Sequence, residues 1–205
     1  MATGSSRLVI IGGGNMGTAL LGGLIDSGWQ SQDITVVELD AAKRAHLESE
    51  FGVQTSDVIV GGQAALIAVK PGDAANVCAQ VAGHGIRRVL SIAAGISVGT
   101  LQAAAGSATV VIRAMPNTPA LVREGVTAIC GSTACTEDDY LWAESILSAV
   151  GVVVRVPESQ MDAVTAVAGS GPAYVFLLAE SLLAAAREAG LPADVADTGC
   201  RIFCQ

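Results

Sequence analysis

The sequence predicts an α/β fold: a doubly wound, mostly parallel sheet followed by an all-helical domain. Three observations carry this. Short β-branched runs alternate with segments of helical period from residue 7 to residue 156, a glycine cluster joins the first run to the first helical segment, and strand signals stop after Pro157. The boundary near residue 157 divides the chain into an α/β part, residues 1–157, and a helical part, residues 158–205.

Residues 7–11 form the first strand. After the glycines, Met16, Leu20, Leu21, Leu24 and Ile25 recur close to a helical period, so strand, tight turn and helix follow one another. Residues 34–38 repeat the strand signal, residues 41–51 read as a helix closed by Gly52, and residues 64–69 are an apolar run stopped by Lys70 and Pro71. Strands are expected over 89–92, 110–114, 126–130 and 152–156, with helices near 98–104 and 138–150. Residues 159–190 read as helix broken once at Gly169-Ser170-Gly171-Pro172, where Ser170 would cap and Pro172 would take the first helical position. Beyond the break, Val175, Leu178, Leu182 and Ala186 have helical spacing and suit either the core of this chain or a second subunit.

With 51% hydrophobic and 15% charged residues the chain can bury a sizeable core, and with 3% aromatics that core must be built from small and branched side chains. The net charge is -8 and the 11 Lys and Arg are scattered, Lys43-Arg44 and Arg87-Arg88 apart, which argues against nucleic acid as a partner. Cys78, Cys130, Cys135, Cys200 and Cys204 form no C-x-x-C and only two histidines accompany them, so no metal site is expected and the thiols read as reduced and mostly buried. The first six residues do not resemble a targeting leader and no run of 18 apolar residues follows, so a cytoplasmic protein without a membrane span is expected.

Gly12-Gly13-Gly14-Asn15-Met16-Gly17 satisfies G-x-G-x-x-G directly after the first strand residue run ending at Ile11, the context a Rossmann dinucleotide site requires. Gly12 allows the turn, Gly14 lets a pyrophosphate reach backbone N–H groups at a helix N-terminus, and Gly17 lets helix lie against strand. Glu38 and Asp40 end the second strand, where a carboxylate would bond a ribose 2'-OH and favour NAD; Lys43 and Arg44 follow and would clamp a 2'-phosphate or simply be solvated, which leaves the 2'-phosphate open. Ala68, Val69, Lys70 and Pro71 lie at the same sheet edge and are expected to contact cofactor through backbone; the Lys70 amine is either a site group or a solvated strand-end cation. The segments 91–96, with Ala94 and Gly95, and 113–119, with Met115 and Asn117, are expected to line the nicotinamide side. Met115, Asn117 and Ser170 fall on the substrate side. The Asn117 amide both donates and accepts, although a plain turn residue between two prolines is the alternative. No catalytic acid or base is assigned, and His46 and His84 read as surface residues.

In order and spacing, IGGGNMGTALLGGL, AVKP, SIAAGIS, IRAMPNTPALV and DAVTAVAGSGPAYVFLLAE resemble pyrroline-5-carboxylate reductases from about Leu8 to Pro192. The resemblance implies hydride transfer from NADPH or NADH to 1-pyrroline-5-carboxylate, giving L-proline, and a helical dimerisation domain that forms a homodimer or larger homo-oligomer. A protonated cyclic imine is already electrophilic, in keeping with loops that hold no histidine. The sequence departs from the family in three places. It lacks the S-P-G-G-T-T-type loop that holds substrate, residues 197–205 do not continue the family's Ala-rich helix and read as a truncated end, and the connection from Val53 to Ala64 is short, which leaves the adenine-side wall open. A dinucleotide-binding relative without imine reduction, or a reductase of another imine or keto acid, are the alternative readings.

Overall fold

A computed structural model describes residues 6–203. Eight strands form one sheet in the order β3-β2-β1-β4-β5-β6-β7-β8. They are β1 (Ser6–Ile11), β2 (Ile34–Val37), β3 (Gln54–Ser56), β4 (Gly62–Ile67), β5 (Arg88–Ser91), β6 (Val110–Pro116), β7 (Gly125–Gly131) and β8 (Gly151–Arg155). Every pairing is parallel except β6 with β7. That exception follows from chain length: the short connection 117–124 cannot make the crossover a parallel neighbour needs.

Central strands of such a sheet are covered on both faces and should be apolar throughout, and Leu8, Val9, Ile10 and Ile11 are all buried. Helices α1 (Asn15–Asp26), α2 (Ala41–Phe51) and α5 (Glu137–Leu147) cover one face, around Leu20, Leu24, Leu47 and Ile146. Helices α3 (Pro71–Gly83) and α4 (Val98–Ala105) cover the other, around Cys78, Val81 and Leu101. Local chemistry sets the helix ends. Asp40 caps α2 by accepting from Ala42 and Lys43 N–H, Gly52 closes it in the left-handed region, and Thr136 and Asp139 form a reciprocal capping box on α5.

The 53–64 connection is not an open gap. Gln54–Ser56 adds an edge strand beside β2, polar because it is paired on one side only and is partly exposed. Past β8, helix α6 (Met161–Val164), a π turn (Thr165–Gly169) and α7 (Gly171–Glu188) join into one helix spanning Glu158–Glu188. The expected break at Gly169–Pro172 is reduced to a π turn and the single turn residue Ser170: Pro172 does fall in the first turn of α7, but Ser170 keeps right-handed helical angles and its side chain caps nothing. Although this segment holds no unbroken run of 18 apolar residues, from which no membrane span was expected, as one helix it is long and apolar enough to cross a bilayer, by length and composition only. Helix α8 (Ala193–Phe203) runs on through residues 197–203 although they are not Ala-rich, since a lone Gly199 costs only about 1 kcal/mol against alanine. No residue of α7 is buried, so Val175, Leu178 and Leu182 do not form a core of this chain. Cys204 lies outside the described residues; no disulfide links the four described cysteines.

Candidate active site

Strand order reverses between β1 and β4, and in such sheets ligands bind outside the carboxyl ends of the strands at that point. Two backbone bonds close the edge there: Gly12 N–H donates to Val37 O (2.8 Å) and Ala68 N–H to Ile11 O (2.8 Å). Gly12 holds φ +109°, and a Cβ on it would lie 2.6 Å from Ala68 O; a Cβ on Gly17 would overlap Gly12 O. Those two glycines are required by the fold itself. Gly14 is different. It caps α1 at φ -78°, an angle open to any residue, and a Cβ there would meet nothing within 4 Å.

What Gly14 faces is a cleft of about 780 Å³ that brings together Ile11, Gly12, Gly14, Glu38, Lys43, Ala68, Val69 and Lys70. A neighbouring hollow on the α2 side of the loop adds Gly13, Asn15, Lys43 and His46. Met16 instead packs against the core beneath α1, Pro71 begins α3, and the turn at Ala94 and Gly95 is exposed without lining either hollow.

The Glu38 carboxylate is turned back onto the loop: Oε2 accepts from Gly13 N–H at 2.9 Å and Oε1 from Asp40 N–H at 3.0 Å. It therefore stiffens the glycine turn as well as bordering the cleft. Arg44 is held by the carbonyls of Glu38 (2.8 Å) and Leu39 (2.9 Å). Lys43 borders both hollows, and among the described residues no carboxylate lies within ion-pair reach of Lys43 or Lys70.

Sequence reasoning passed over several lining residues. Leu39 and Val58, 81% and 65% exposed, flank the cleft as unsupported apolar side chains, and residues 57–59 supply the wall that the short connection seemed to lack. Asp73, Asn76, Gln80 and His84 present one face of α3 and its end to the cleft; their three- and four-residue spacing after the AVKP segment was the available signal.

Comparison with known proteins fits these features. Residues 158–201 match the family model described as pyrroline-5-carboxylate reductase dimerisation, and residues 7–95 one described as NADP oxidoreductase coenzyme F420-dependent. A pyrroline-5-carboxylate reductase of Mycobacterium leprae is 40% identical, the match covering 96% of this chain and 70% of that protein. The chain belongs to the pyrroline-5-carboxylate reductase family. Among solved members, the Coxiella burnetii reductase superposes with a TM-score of 0.88 at 33% identity, over 98% of this chain and 77% of that one. The Plasmodium falciparum reductase, solved with NADP bound, has a TM-score of 0.84 at 25% identity, over 97% of this chain and 76% of that one.

In this member of the reductase family, Arg113, Met115 and Asn117 at the end of β6 meet the long helix. The Arg113 guanidinium, 6% exposed, reaches Glu158 Oε1 at 3.4 Å and Asp162 Oδ1 at 3.9 Å, while the same Glu158 oxygen accepts from Val98 N–H at 2.6 Å. Met115 packs against the buried cluster of Val98, Ala128, Cys130 and Met161. Asn117 donates from Nδ2 to Ala168 O (3.0 Å) and accepts at Oδ1 from Val126 N–H (2.9 Å). Ser170 follows the π turn directly, one residue before α7. Beneath these residues, burial first and then the nearby Glu158 push the Cys130 thiol up to about 11.

Proposed function

We propose that the protein reduces 1-pyrroline-5-carboxylate to L-proline with NADPH, or NADH, bound in the cleft at the switch point. The observation that carries the cofactor reading is Gly14. A glycine that neither backbone angle nor packing demands, at the N-terminus of a helix and facing a cleft, keeps clear the space a phosphate needs to reach the N–H groups of that turn.

The residues present fit a dinucleotide. The first turn of α1 offers N–H donors and the positive end of the helix dipole to a pyrophosphate. Leu39 and Val58 offer apolar faces to an adenine ring, and Lys43, which has no carboxylate among the described residues in ion-pair reach, offers a cation to a 2'-phosphate. Glu38, engaged by Gly13 and Asp40 N–H, is directed at the loop and is correspondingly less available to repel that phosphate. Bound there, the cofactor would supply hydride to the imine carbon. The chain's part is to hold and orient: Lys70, Ala94 and Gly95 at the ends of β4 and β5, and Met115, Asn117 and Ser170 at the junction with the long helix, bound the reacting side. In this reading residues 1–157 hold the cofactor and residues 158–205 contribute to a homo-oligomer, with a second copy covering the exposed apolar side chains of α7. The compartment is the cytoplasm, where thiols stay reduced.

The test is oxidation of NADPH and of NADH by the purified chain, with and without 1-pyrroline-5-carboxylate, beside a direct cofactor titration. Imine-dependent oxidation is expected. Binding without turnover would reject imine reduction and leave the cofactor site; no binding would reject both.

A further inference from the structure

Residues alternate sides along a strand, so Arg113 and Met115 share one face of β6, and Asn117, the still extended residue that follows it, keeps the alternation, while Ile112 and Ala114 go to the other face, into the core beneath α1 and α5. Each of the three touches the long helix at a different level. Arg113 meets its first turns at Glu158 and Asp162. Met115 lies where a Cβ on Gly169 would come within 3.4 Å of its Cε. Asn117 takes the carbonyl of Ala168.

That carbonyl has a reason to need a side-chain partner. In an α-helix Ala168 O would accept from the N–H of residue 172, and residue 172 is proline, which has none. The helix instead widens into a π turn, with Ser170 N–H reaching back to Thr165 O at 2.9 Å. Asn117 is 9% exposed, and its other end is fixed by Val126 N–H, so the amide is aimed and cannot swing. We propose that Asn117 is a positioning residue for hydride transfer: its Nδ2 donates to the carbonyl that Pro172 leaves open, locks the π turn to the end of β6, and so sets Ser170 and the start of α7 at the reacting edge of the sheet.

This rests on the reductase reading, and the experiment separates the two. Asn117→Asp keeps the acceptor for Val126 N–H and replaces the donor by an oxygen facing Ala168 O. Its kcat with 1-pyrroline-5-carboxylate is expected to fall on the order of 10- to 100-fold, as expected for a misplacement near 1 Å, with the cofactor Kd unchanged. Amide hydrogen exchange across residues 161–176 is expected to speed up while that of β1 and β4 stays slow. Adding Pro172→Ala returns an N–H to residue 172 and is expected to recover much of the lost kcat. If the carboxylate prevents folding, Asn117→Ser, too short to reach Ala168 O, reads the same contact. Unchanged kcat and exchange in the folded variants, or a loss of cofactor affinity parallel to kcat, overturns the positioning role. A wild-type chain without turnover removes the reductase reading and the catalytic half of the proposal, and the exchange data then report the clasp alone.

Discussion

Replacing Gly14 by alanine should abolish tight cofactor binding in a chain that folds as well as the wild type, whereas the same change at Gly12 should damage the fold. At Gly14 the angles suit an L residue and no atom lies within 4 Å of the new Cβ. Losing glycine's entropy in the unfolded chain stabilises by about 0.4–1 kcal/mol, and losing a favoured N-cap residue costs about as much, so the net change is close to zero. For a chain of this size that leaves the Tm within roughly 4 °C of wild type. The new methyl would stand where a phosphate must approach the N–H groups of α1. Two charge-assisted hydrogen bonds lost at about 1.5 kcal/mol or more apiece weaken binding by about 100-fold. Gly12→Ala adds a Cβ at φ +109°, 2.6 Å from Ala68 O, and costs about 3 kcal/mol or more, a Tm loss on the order of 6–12 °C. Thermal melts and cofactor titration by fluorescence quenching decide it. Unaltered affinity in Gly14→Ala would refute the pyrophosphate assignment; a Tm loss as large as that of Gly12→Ala would refute the claim that Gly14 is not required by the fold.

Arg113→Met removes a buried cation from between Glu158, Asp162 and the start of α4, and because Glu158 is partly exposed and keeps Val98 N–H the loss is about 1–3 kcal/mol, read by urea denaturation. Burial alone would raise the Asp139 carboxyl, but Thr136 N–H and hydroxyl and the Arg88 guanidinium at 2.8 Å bring it below its ordinary value. A depressed folded value means stability present above the unfolded pKa and lost as pH falls through the folded one, so wild-type unfolding free energy should drop more steeply below pH 3.8 than that of Asp139→Asn, by denaturant midpoints across pH. Burial pushes the thiols of Cys78 and Cys130 up to about 11, so iodoacetamide at mild alkaline pH should label both only after unfolding, by intact-mass analysis. Leu178→Glu on the exposed face of α7 should lower the oligomeric state by light scattering without changing the melt of the α/β part.

The sheet was legible because its strands are buried on both faces: Val, Ile and Leu runs such as residues 8–11 and 64–67 leave little else to be. The edge strand Gln54–Ser56 carried no such signal, being three polar residues at the rim, and with it went the wall at residues 57–59. The glycine loop was legible in part: the constraints read for Gly12 and Gly17 are ones the backbone itself imposes, whereas Gly14 answers to no contact within the chain. The apolar flanks Leu39 and Val58 were not, because an exposed leucine or valine has no local pattern and means something only once the cleft beside it is seen.

The misreading at Gly169-Ser170-Gly171-Pro172 has a sharper cause. Every local rule there, a small polar residue before a proline flanked by glycines, describes the start of a new helix. The rules assume that an unserved carbonyl before the proline ends the previous helix. Here that carbonyl is served from 51 residues away by Asn117, so the helix continues through a π turn, and of the capping signals only Pro172 in the first turn of α7 is realised. The same fact links two segments the sequence presents as separate motifs. R-x-M-P-N has the period of a strand, and its alternate residues Arg113, Met115 and Asn117 all face the helix that carries A-G-S-G-P. An asparagine before the turn and a proline in the helix are then two halves of one contact, the first giving the hydrogen that the second lacks, and a change at either position should be felt at the other.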